Sequence, residues 1–255
     1  MNVLAIFKRE VRTYFTSPIA YTLLTIFAII CGFMFTSILA QFQRAGFQSA
    51  MNPSMAQGLN ATEWVVRPLL RNVAVILLFL MPIVTMRLLA EERRTGTLEL
   101  LFTFPIRDVE LLGGKFLAAL AIFLVMLALP LINILMLASL APLEWQAIGV
   151  AFAGLMLLGM TFLAIGLFCS SLTENQIVAA VLTFGAALLF WIIDWSADST
   201  GGTLGQVLSH LSIIRHFDSF QRGVIESKDL IFYLNFTVFG LFLTMRAVES
   251  HRWRG

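Results

Sequence analysis

The stretch NVAVILLFLMPIVTMRLLAEERRTGTLELLFTFP, residues 72–105, joins a long apolar run to the densest block of charge in the chain. Its first part, residues 72–90, contains a single ionisable side chain, that of Arg87. A bilayer core about 30 Å thick needs roughly 20 helical residues to cross it. We therefore predict that residues 72–90 span a membrane and that the charges after them lie in water at its surface.

The composition is that of a membrane protein. Apolar residues make up 59% of the 255 residues and charged residues only 13%, with a mean hydropathy of +0.88, whereas soluble domains carry about 25% charged residues. The net charge of +2 and the lack of a long Lys/Arg run argue against nucleic acid as a partner. Cys31 and Cys169 lie in separate apolar runs without a nearby His or second Cys, which argues against a disulfide framework or a zinc site.

Six apolar runs are long enough to cross the bilayer as helices. They are residues 18–40, 72–90, 116–140, 147–170, 176–194 and 229–247. We predict an all-α membrane protein, one transmembrane domain over residues 1–255, with both termini on the same side. That side is predicted to be cytoplasmic, because eleven of the seventeen Lys and Arg residues fall in segments facing it.

Residues 1–17 are predicted to form an amphipathic helix that lies flat in the membrane interface. Apolar side chains recur there at helical spacing and basic ones fall on the other face. These are Leu4, Phe7, Val11 and Phe15 on one side and Lys8, Arg9 and Arg12 on the other. The alternative is a merely basic flank of the first span. Ser17 followed by Pro18 is typical of a helix start.

Two segments on the opposite side are predicted to differ in character. Residues 41–71 are polar and contain several Gly, Pro and Asn, which predicts an external loop of about thirty residues. Residues 204–214 carry an approximate apolar stripe, which predicts a helical segment in the outer leaflet before the last span. His210, His216 and Asp218 lie nearby, but their spacing does not place three metal ligands on one helix face. We expect solvated or capping roles for them.

Catalytic and nucleotide-binding motifs are not found in the sequence. The nearest fragment to a P-loop is Gly113-Gly114-Lys115, but Phe116 follows it and leads into a span. There is no HExxH or GxSxG motif. The pair Glu91-Glu92 is similar to that of intramembrane CAAX proteases, but their pattern needs Arg at the position of Gly96 and His in later spans. We expect a chain that is not an enzyme, holds no metal or cofactor, and takes energy from a partner.

Residues 91–115 are predicted to be a shaped cytoplasmic element with two short helices. Gly96 can cap a helix that Thr97 opens, and Glu99 in its first turn favours the exposed N–H groups. That helix must stop before Pro105. Asp108 is predicted to cap the second helix.

The first of these helices carries an apolar face that must be covered, because exposing several Leu and Phe side chains costs about 1.5 to 3 kcal/mol each. Its residues are Leu98, Leu100, Leu101, Phe102 and Phe104. One interpretation is that they lie on the membrane interface or on the protein's own spans. The other is that the element fits a groove on a cytoplasmic protein, with the charges of residues 91–94 at the rim of that contact.

The fourth and fifth spans are joined by the short sequence SSLTENQ, residues 170–176. Thr173 followed by Gln176 three residues later is typical of a capping box, which predicts a helix beginning near Glu174. A tight cytoplasmic hairpin follows from this spacing. Glu174 and Asn175 are predicted to lie exposed at its tip.

The run EERRTGTLELLFTFPIRDVELLGGKF, residues 91–116, resembles the signature of ABC-2-type exporter permeases, which have the type V exporter fold. SSLTENQIVAA and RHFDSFQRGVIESKDLIFY are similar to the gliding-motility branch of that family, the GldF-like permeases. The resemblance covers nearly the whole chain. It implies a permease of the bacterial inner membrane that docks two ATP-binding subunits, which hold ATP and Mg, and that pairs with a second copy or a related permease.

In such exporters the loop after the second span carries the coupling helix, which seats in the ATPase. The resemblance therefore implies an ATPase-coupling interface in this chain. Its residues are Glu91, Glu92, Gly96, Thr97, Glu99, Leu100, Leu101, Pro105, Glu174 and Asn175. The implied function is export; the alternative is a mechanotransmission subunit that moves no substrate itself and drives a membrane-anchored partner with a periplasmic domain.

Overall fold

The computed structural model describes residues 2–51, 60–97, 107–199 and 202–252, and every regular element in these ranges is helical. Six helices are long and apolar enough to cross a membrane. The predicted all-α fold with six membrane-crossing helices is confirmed.

The described residues form ten α-helices and one π-helical turn. The first two are α1 (Asn2–Thr16) and α2 (Pro18–Met51), and a π-helical turn (Thr62–Val66) leads into α3 (Arg67–Thr85) and α4 (Ala90–Arg94). The next three are α5 (Asp108–Ala138), α6 (Trp145–Leu172) and α7 (Gln176–Ser199). The last three are α8 (Gly202–Leu211), α9 (Ile213–Gln221) and α10 (Ser227–Arg252).

Helix α6, the fourth span, lies at the centre of the bundle and packs on α3, α5, α7, α9 and α10. Its glycines permit this density, because a Cβ added at Gly154, Gly159 or Gly166 would overlap side chains of α9, α5 and α3 respectively. In the most apolar stretch of each span, 72% of the residues are buried in the second span and 61% in the fourth. The corresponding fractions are 22% in the first span and 17% in the fifth. The second and fourth spans therefore form the core, and most residues of the first and fifth are not buried within this chain.

The first span extends further than its apolar run. Helix α2 continues through Met51, so the external loop predicted to begin at Gln41 is helical over its first eleven residues. Residues 41–51 contain no Pro and only one Gly, and such a polar sequence can continue a helix once it has left the hydrocarbon. At the other end the Ser17 Oγ accepts a hydrogen bond from the Ile19 N–H at 3.4 Å, which confirms the predicted helix start.

The second of the two short helices predicted for residues 91–115 is the first part of the third span. Helix α5 runs without interruption from Asp108 to Ala138 and includes Pro130. The predicted cap at Asp108 is wrong by one residue: Arg107 precedes the helix, and its N–H donates to the Glu110 carboxylate at 3.2 Å. The first short helix falls in residues 98–106, which lie outside the described residues.

The segment before the last span consists of two helices, where the sequence predicted one stripe. Ser212 separates α8 from α9, and its Oγ accepts a hydrogen bond from the Arg215 N–H at 3.3 Å. Leu204 on α8 is 69% exposed, whereas Ile214 on α9 is 8% exposed. The break turns the apolar side of α8 outward and that of α9 onto the bundle.

Candidate functional site

The second span ends in a break, which we call the joint: residues 86–89, between α3 and α4. Pro82 lies three residues before the end of α3 and has no N–H to donate. Across the break, the Ser170 hydroxyl of α6 accepts from the N–H groups of Leu89 and Ala90 and donates to the Met86 carbonyl, each at 3.0 Å. Ser170 of the fourth span thus stabilises the conformation of the joint through three hydrogen bonds.

Close approach of α6 to α3 makes this contact possible. A Cβ added at Gly166, one helical turn before Ser170, would lie 2.5 Å from the Thr85 Cβ. The small residues at these two positions, Gly166 and Ser170, permit a close helix contact. The partner is the end of the second span.

We expect Ser170→Ala to lower the free energy of unfolding by about 2 kcal/mol, because it leaves two buried N–H donors without their acceptor. Ser171→Ala is the matched control, since the Ser171 hydroxyl donates only to the Phe168 carbonyl of its own helix, at 2.6 Å. Thermal unfolding of the purified protein measures both. Equal losses for the two variants would contradict the role of Ser170 in the joint.

Glu92 of α4 belongs to a charge cluster of four residues: Arg9, Glu10, Glu92 and Lys115. The Lys115 Nζ lies 3.0 Å from the Glu92 Oε1 and 3.1 Å from the Glu10 Oε1, and an Arg9 guanidinium nitrogen lies 2.6 Å from the Glu92 Oε1. The Lys115 side chain is 1% exposed and that of Glu92 is 11% exposed. Two acids and two bases therefore neutralise each other where α1, α4 and α5 meet.

The electrostatics of the cluster favour the charged form of Arg9. Partial burial by itself lowers the pKa of the Arg9 guanidinium, but Glu10 and Glu92 outweigh it and raise that pKa overall. The Glu92 Oε2 is buried and has no hydrogen-bond partner among the described residues. An orphaned oxygen of this kind makes Glu92 depend strongly on the two bases that its other oxygen contacts.

The motif Gly113-Gly114-Lys115 has a packing role. A Cβ added at Gly114 would lie 2.7 Å from a side-chain carbon of Ile6, so α1 rests directly on this glycine. The contact brings Glu10 next to Lys115. Tyr14 fixes the other end of α1, because its hydroxyl donates to the Val84 carbonyl at 2.9 Å, and burial raises the pKa of its phenol.

The other charges of α4 also turn toward the protein. Arg87 in the joint contacts Glu91 at 3.2 Å and donates to the Ser17 Oγ at 3.1 Å. Arg93 donates to the Ser171 carbonyl at 2.7 Å and lies 3.7 Å from the Glu174 carboxylate. Of the four charges predicted to rim a partner contact, three thus engage the chain itself, and Arg94 is exposed.

Gly96 ends α4 with a φ of +68°, a conformation that favours glycine. The sequence predicted that Gly96 caps the start of the next helix. In the structure its N–H donates to the Arg93 carbonyl of the preceding helix at 3.1 Å. Thr97 is helical and exposed, and its hydroxyl donates to the Glu92 carbonyl at 3.3 Å. The other predicted interface residues of this segment, Glu99, Leu100, Leu101 and Pro105, lie outside the described residues.

The hairpin between α6 and α7 has a different cap from the predicted one. Helix α7 begins at Gln176, and the Asn175 Oδ1 accepts from the Ile177 N–H at 2.9 Å, so Asn175 is the N-cap. The Thr173 Oγ1 accepts from the Asn175 N–H at 3.1 Å, a local turn. Glu174 and Asn175 are exposed, as predicted.

A groove of about 500 Å³, which we call the hairpin groove, lies between the end of α4 and the start of α7. It is lined by Arg94, Glu174, Asn175, Gln176 and Ile177. Ile177 is 72% exposed. An exposed apolar side chain bordered by charged and amide groups can accept a polypeptide, and the groove unites two predicted contacts that are about eighty residues apart in sequence.

Within the described ranges no three His, Cys, Asp or Glu side chains are grouped to hold a metal ion. His216, expected to be solvated or to cap a helix, is instead buried, and its Nδ1 lies 2.6 Å from the Asp229 Oδ1. Sequence reasoning also missed Glu10 and Lys115. The available signal was a lone acid among the bases of α1 and a Lys at the start of a span.

The family model described as "ABC-2 family transporter protein" matches residues 4–247 of the chain. The match includes the joint, the charge cluster and the hairpin groove. No curated protein matches the chain.

Proposed function

Because the chain belongs to the ABC-2 family of transporter proteins, we propose that it is the permease subunit of an ATP-driven exporter in the bacterial inner membrane. Two ATP-binding subunits, which hold ATP and Mg²⁺, dock on its cytoplasmic face, and a second copy or a related permease completes the assembly. Both termini are cytoplasmic in this proposal. It assigns no catalytic residue to this chain.

The hairpin groove is the observation that carries the proposal. It lies next to Thr95, Gly96 and Thr97, which are exposed and lead directly into residues 98–106. We assign the ATPase contact to Gly96, Thr97, Glu174 and Asn175 on the described surface. Glu99, Leu100, Leu101 and Pro105 extend the same contact.

Glu91 and Glu92 receive a different role in the proposal, that of transmitting force. Glu92 connects α4 to α1 and α5 through the charge cluster. Glu91 pairs with Arg87, which also contacts Ser17 at the start of the first span. A displacement of residues 95–106 by ATP binding therefore moves the cytoplasmic ends of the first three spans together.

The joint adds the fourth span to this unit. Ser170 and the Ser171 carbonyl bind α4 and its preceding turn on the α6 side. Because α6 packs on five other helices, a force applied at α4 reaches the centre of the bundle. Export follows if that movement opens a path along the interface with the second permease.

Within the family, the chain is assigned in this proposal to the gliding-type branch. The alternative to export is a mechanotransmission role. In that role the chain moves no substrate and acts on a membrane-anchored protein with a periplasmic domain. The chain's own segments on that side include α8 and α9, two short helices of ten and nine residues. We prefer export, because α8 and α9 are short and offer little surface on which an external protein can bind.

The proposal is tested by co-purification with the ATP-binding subunit and by ATPase rates in lipid. We expect Arg94→Glu, and Glu99→Ala combined with Leu101→Ala, each to weaken capture of the ATPase at least tenfold, because both alter the proposed contact. Arg44→Glu is the matched control, because it reverses the charge of another exposed arginine, near the far end of α2. Capture and turnover that match wild type in all variants would refute the docking site.

A further inference from the structure

A cavity of about 500 Å³, which we call the distal cavity, lies on the membrane face opposite α1, between α8, α9 and the start of α10. Its lining includes acids and bases in equal number. These are Asp218, Glu226 and Asp229 with Arg215, Arg222 and Lys228, and the side chains of Ser209, His210, His216, Ser219 and Val224 complete the wall. Its volume is in the range of small-ligand sites.

His216 and Asp229 form a buried pair on one wall of the distal cavity. The His216 Nε2 lies 3.2 Å from the His210 carbonyl oxygen, which can only accept, so Nε2 carries a hydrogen. The Nδ1 lies 2.6 Å from the Asp229 Oδ1, and a proton lies between those two atoms. The imidazole is further held by Phe232, whose ring stacks on it with centroids 4.0 Å apart.

The second carboxylate oxygen of Asp229, Oδ2, lacks a hydrogen-bond donor within the part of the chain that the structure describes. Asp229 is 1% exposed, and its Oδ2 is buried without a hydrogen-bond partner among the described residues. Whether the shared proton sits on His216 or on Oδ1, Oδ2 remains an acceptor. A buried acceptor left without a donor costs about 1 to 3 kcal/mol, so this atom indicates a ligand that donates.

The cations nearest to it in sequence pair with other acids. Lys228 lies 2.5 Å from a Glu226 carboxylate oxygen. Arg215 lies 3.4 Å from the Asp194 Oδ1. Arg222 lines the cavity and is exposed. Within the described ranges, the lining therefore combines a carboxylate oxygen that lacks a donor, on Asp229, with the exposed guanidinium of Arg222.

We propose that the distal cavity binds a zwitterion in which a primary ammonium donates to the Asp229 Oδ2 and an anionic group faces Arg222. A metal ion fits poorly, because both His216 nitrogens are engaged and Asp229 offers one free oxygen. A simple anion would leave Oδ2 without a donor. The ammonium makes a charge-assisted hydrogen bond, which is shorter and stronger than one between neutral groups.

Two sources can supply this chemistry: the headgroup of an aminophospholipid and a free amino compound. Leu204 and Val207 of α8 are exposed apolar side chains, and the same helix contributes Ser209 and His210 to the cavity wall, so a lipid can approach it from the bilayer. The site lies on the far side of the membrane from the hairpin groove. Its test uses the permease alone, so it stands or falls independently of the proposed ATPase docking.

The test compares O-phosphoethanolamine with phosphocholine, which differ at the nitrogen, where only the first has N–H donors. The full-length permease is placed in phosphatidylcholine nanodiscs, and its unfolding temperature is followed during titration. We expect phosphoethanolamine to raise this temperature with a half-saturating concentration at least tenfold below that of phosphocholine. Equal action of the two compounds would overturn the proposal.

Variants locate the site. Asp229→Asn is expected to abolish the tenfold discrimination, whereas Glu226→Gln, which removes an acid from the same cavity, retains it. Val224 lines the cavity between α9 and α10, so Val224→Trp adds bulk there while leaving Asp229 itself unchanged, and it tests the site even if Asp229→Asn does not fold. Discrimination that persists in Val224→Trp would refute the site.

A final arm distinguishes the sources. Part of the phosphatidylcholine is replaced by phosphatidylethanolamine at unchanged net charge. A rise in unfolding temperature that Val224→Trp abolishes identifies the lipid headgroup as the occupant. A response to soluble phosphoethanolamine alone identifies a free small molecule, and both outcomes support a zwitterion site.

Discussion

Lys115→Met is expected to lower the free energy of unfolding by about 3 to 5 kcal/mol, because it leaves Glu10 and Glu92 buried with one base where there were two. The Lys115 side chain is almost fully enclosed, and it contacts both acids at close to 3 Å. The measurement is the unfolding midpoint in detergent, where contributions from anionic lipid are absent. The same variant should also weaken the stimulation of the ATPase by the permease, since α5 loses its contacts with Glu92 on α4 and Glu10 on α1.

Two controls separate charge imbalance from other effects of the substitution. Lys8→Met makes the same change at an exposed position of α1 and should alter stability by no more than about 0.5 kcal/mol. Lys115→Met combined with Glu92→Gln restores a neutral cluster, and it should recover at least half of the loss. A double variant as unstable as the single one would show that packing, and not charge, is what Lys115 contributes.

Gly166→Ala is expected to destabilise the protein by about 3 kcal/mol, at the upper end of the usual cost of overpacking. The added methyl group would overlap the Thr85 side chain, and α6 cannot move away without disturbing its contacts with four other helices. The displacement should also break the hydrogen bonds of Ser170 to the joint. Hydrogen exchange at the N–H groups of Leu89 and Ala90 should therefore rise together with the loss of stability.

Gly149→Ala is the matched control, because a Cβ added at Gly149 has no atom within 4 Å among the described residues. This substitution lies in the same helix and should be neutral or stabilising by up to about 1 kcal/mol, since Ala is the better helix former. If both alanine variants had the same stability, α6 and α3 would not be in the close contact described here.

The number and placement of the spans are local properties, and the sequence determined them well. Hydropathy over about twenty residues decides whether a helix partitions into the bilayer, and no partner elsewhere in the chain changes that. The exposure of Glu174 and Asn175 was predictable for a similar reason, since a tight hairpin has an exposed tip. The extension of α2 to Met51 was missed because polarity ends a span but does not end a helix.

Which charges face outward was decided by tertiary structure. Glu91, Glu92, Arg93 and Arg94 are consecutive and chemically alike in pairs, yet the side chains of Glu92 and Arg93 are mostly covered, whereas that of Glu91 is 40% exposed and Arg94 is exposed. Their partners are far away in sequence: Arg9 is 83 residues from Glu92, and Glu10 is 105 residues from Lys115. A local pattern contains no information about such pairs.

By itself the sequence determined an all-helical protein with six spans, an amphipathic first helix and a charged element after the second span, because periodicity and hydropathy act over neighbouring residues. Only the tertiary structure decided that Glu92 is an internal anchor, that Gly114 and Gly166 are contact points, and that His216 and Asp229 share a wall of the distal cavity. The physical reason is that burial and pairing depend on which helices meet. In this bundle the contacts between helices are made by side chains and glycines that lie tens of residues apart in sequence.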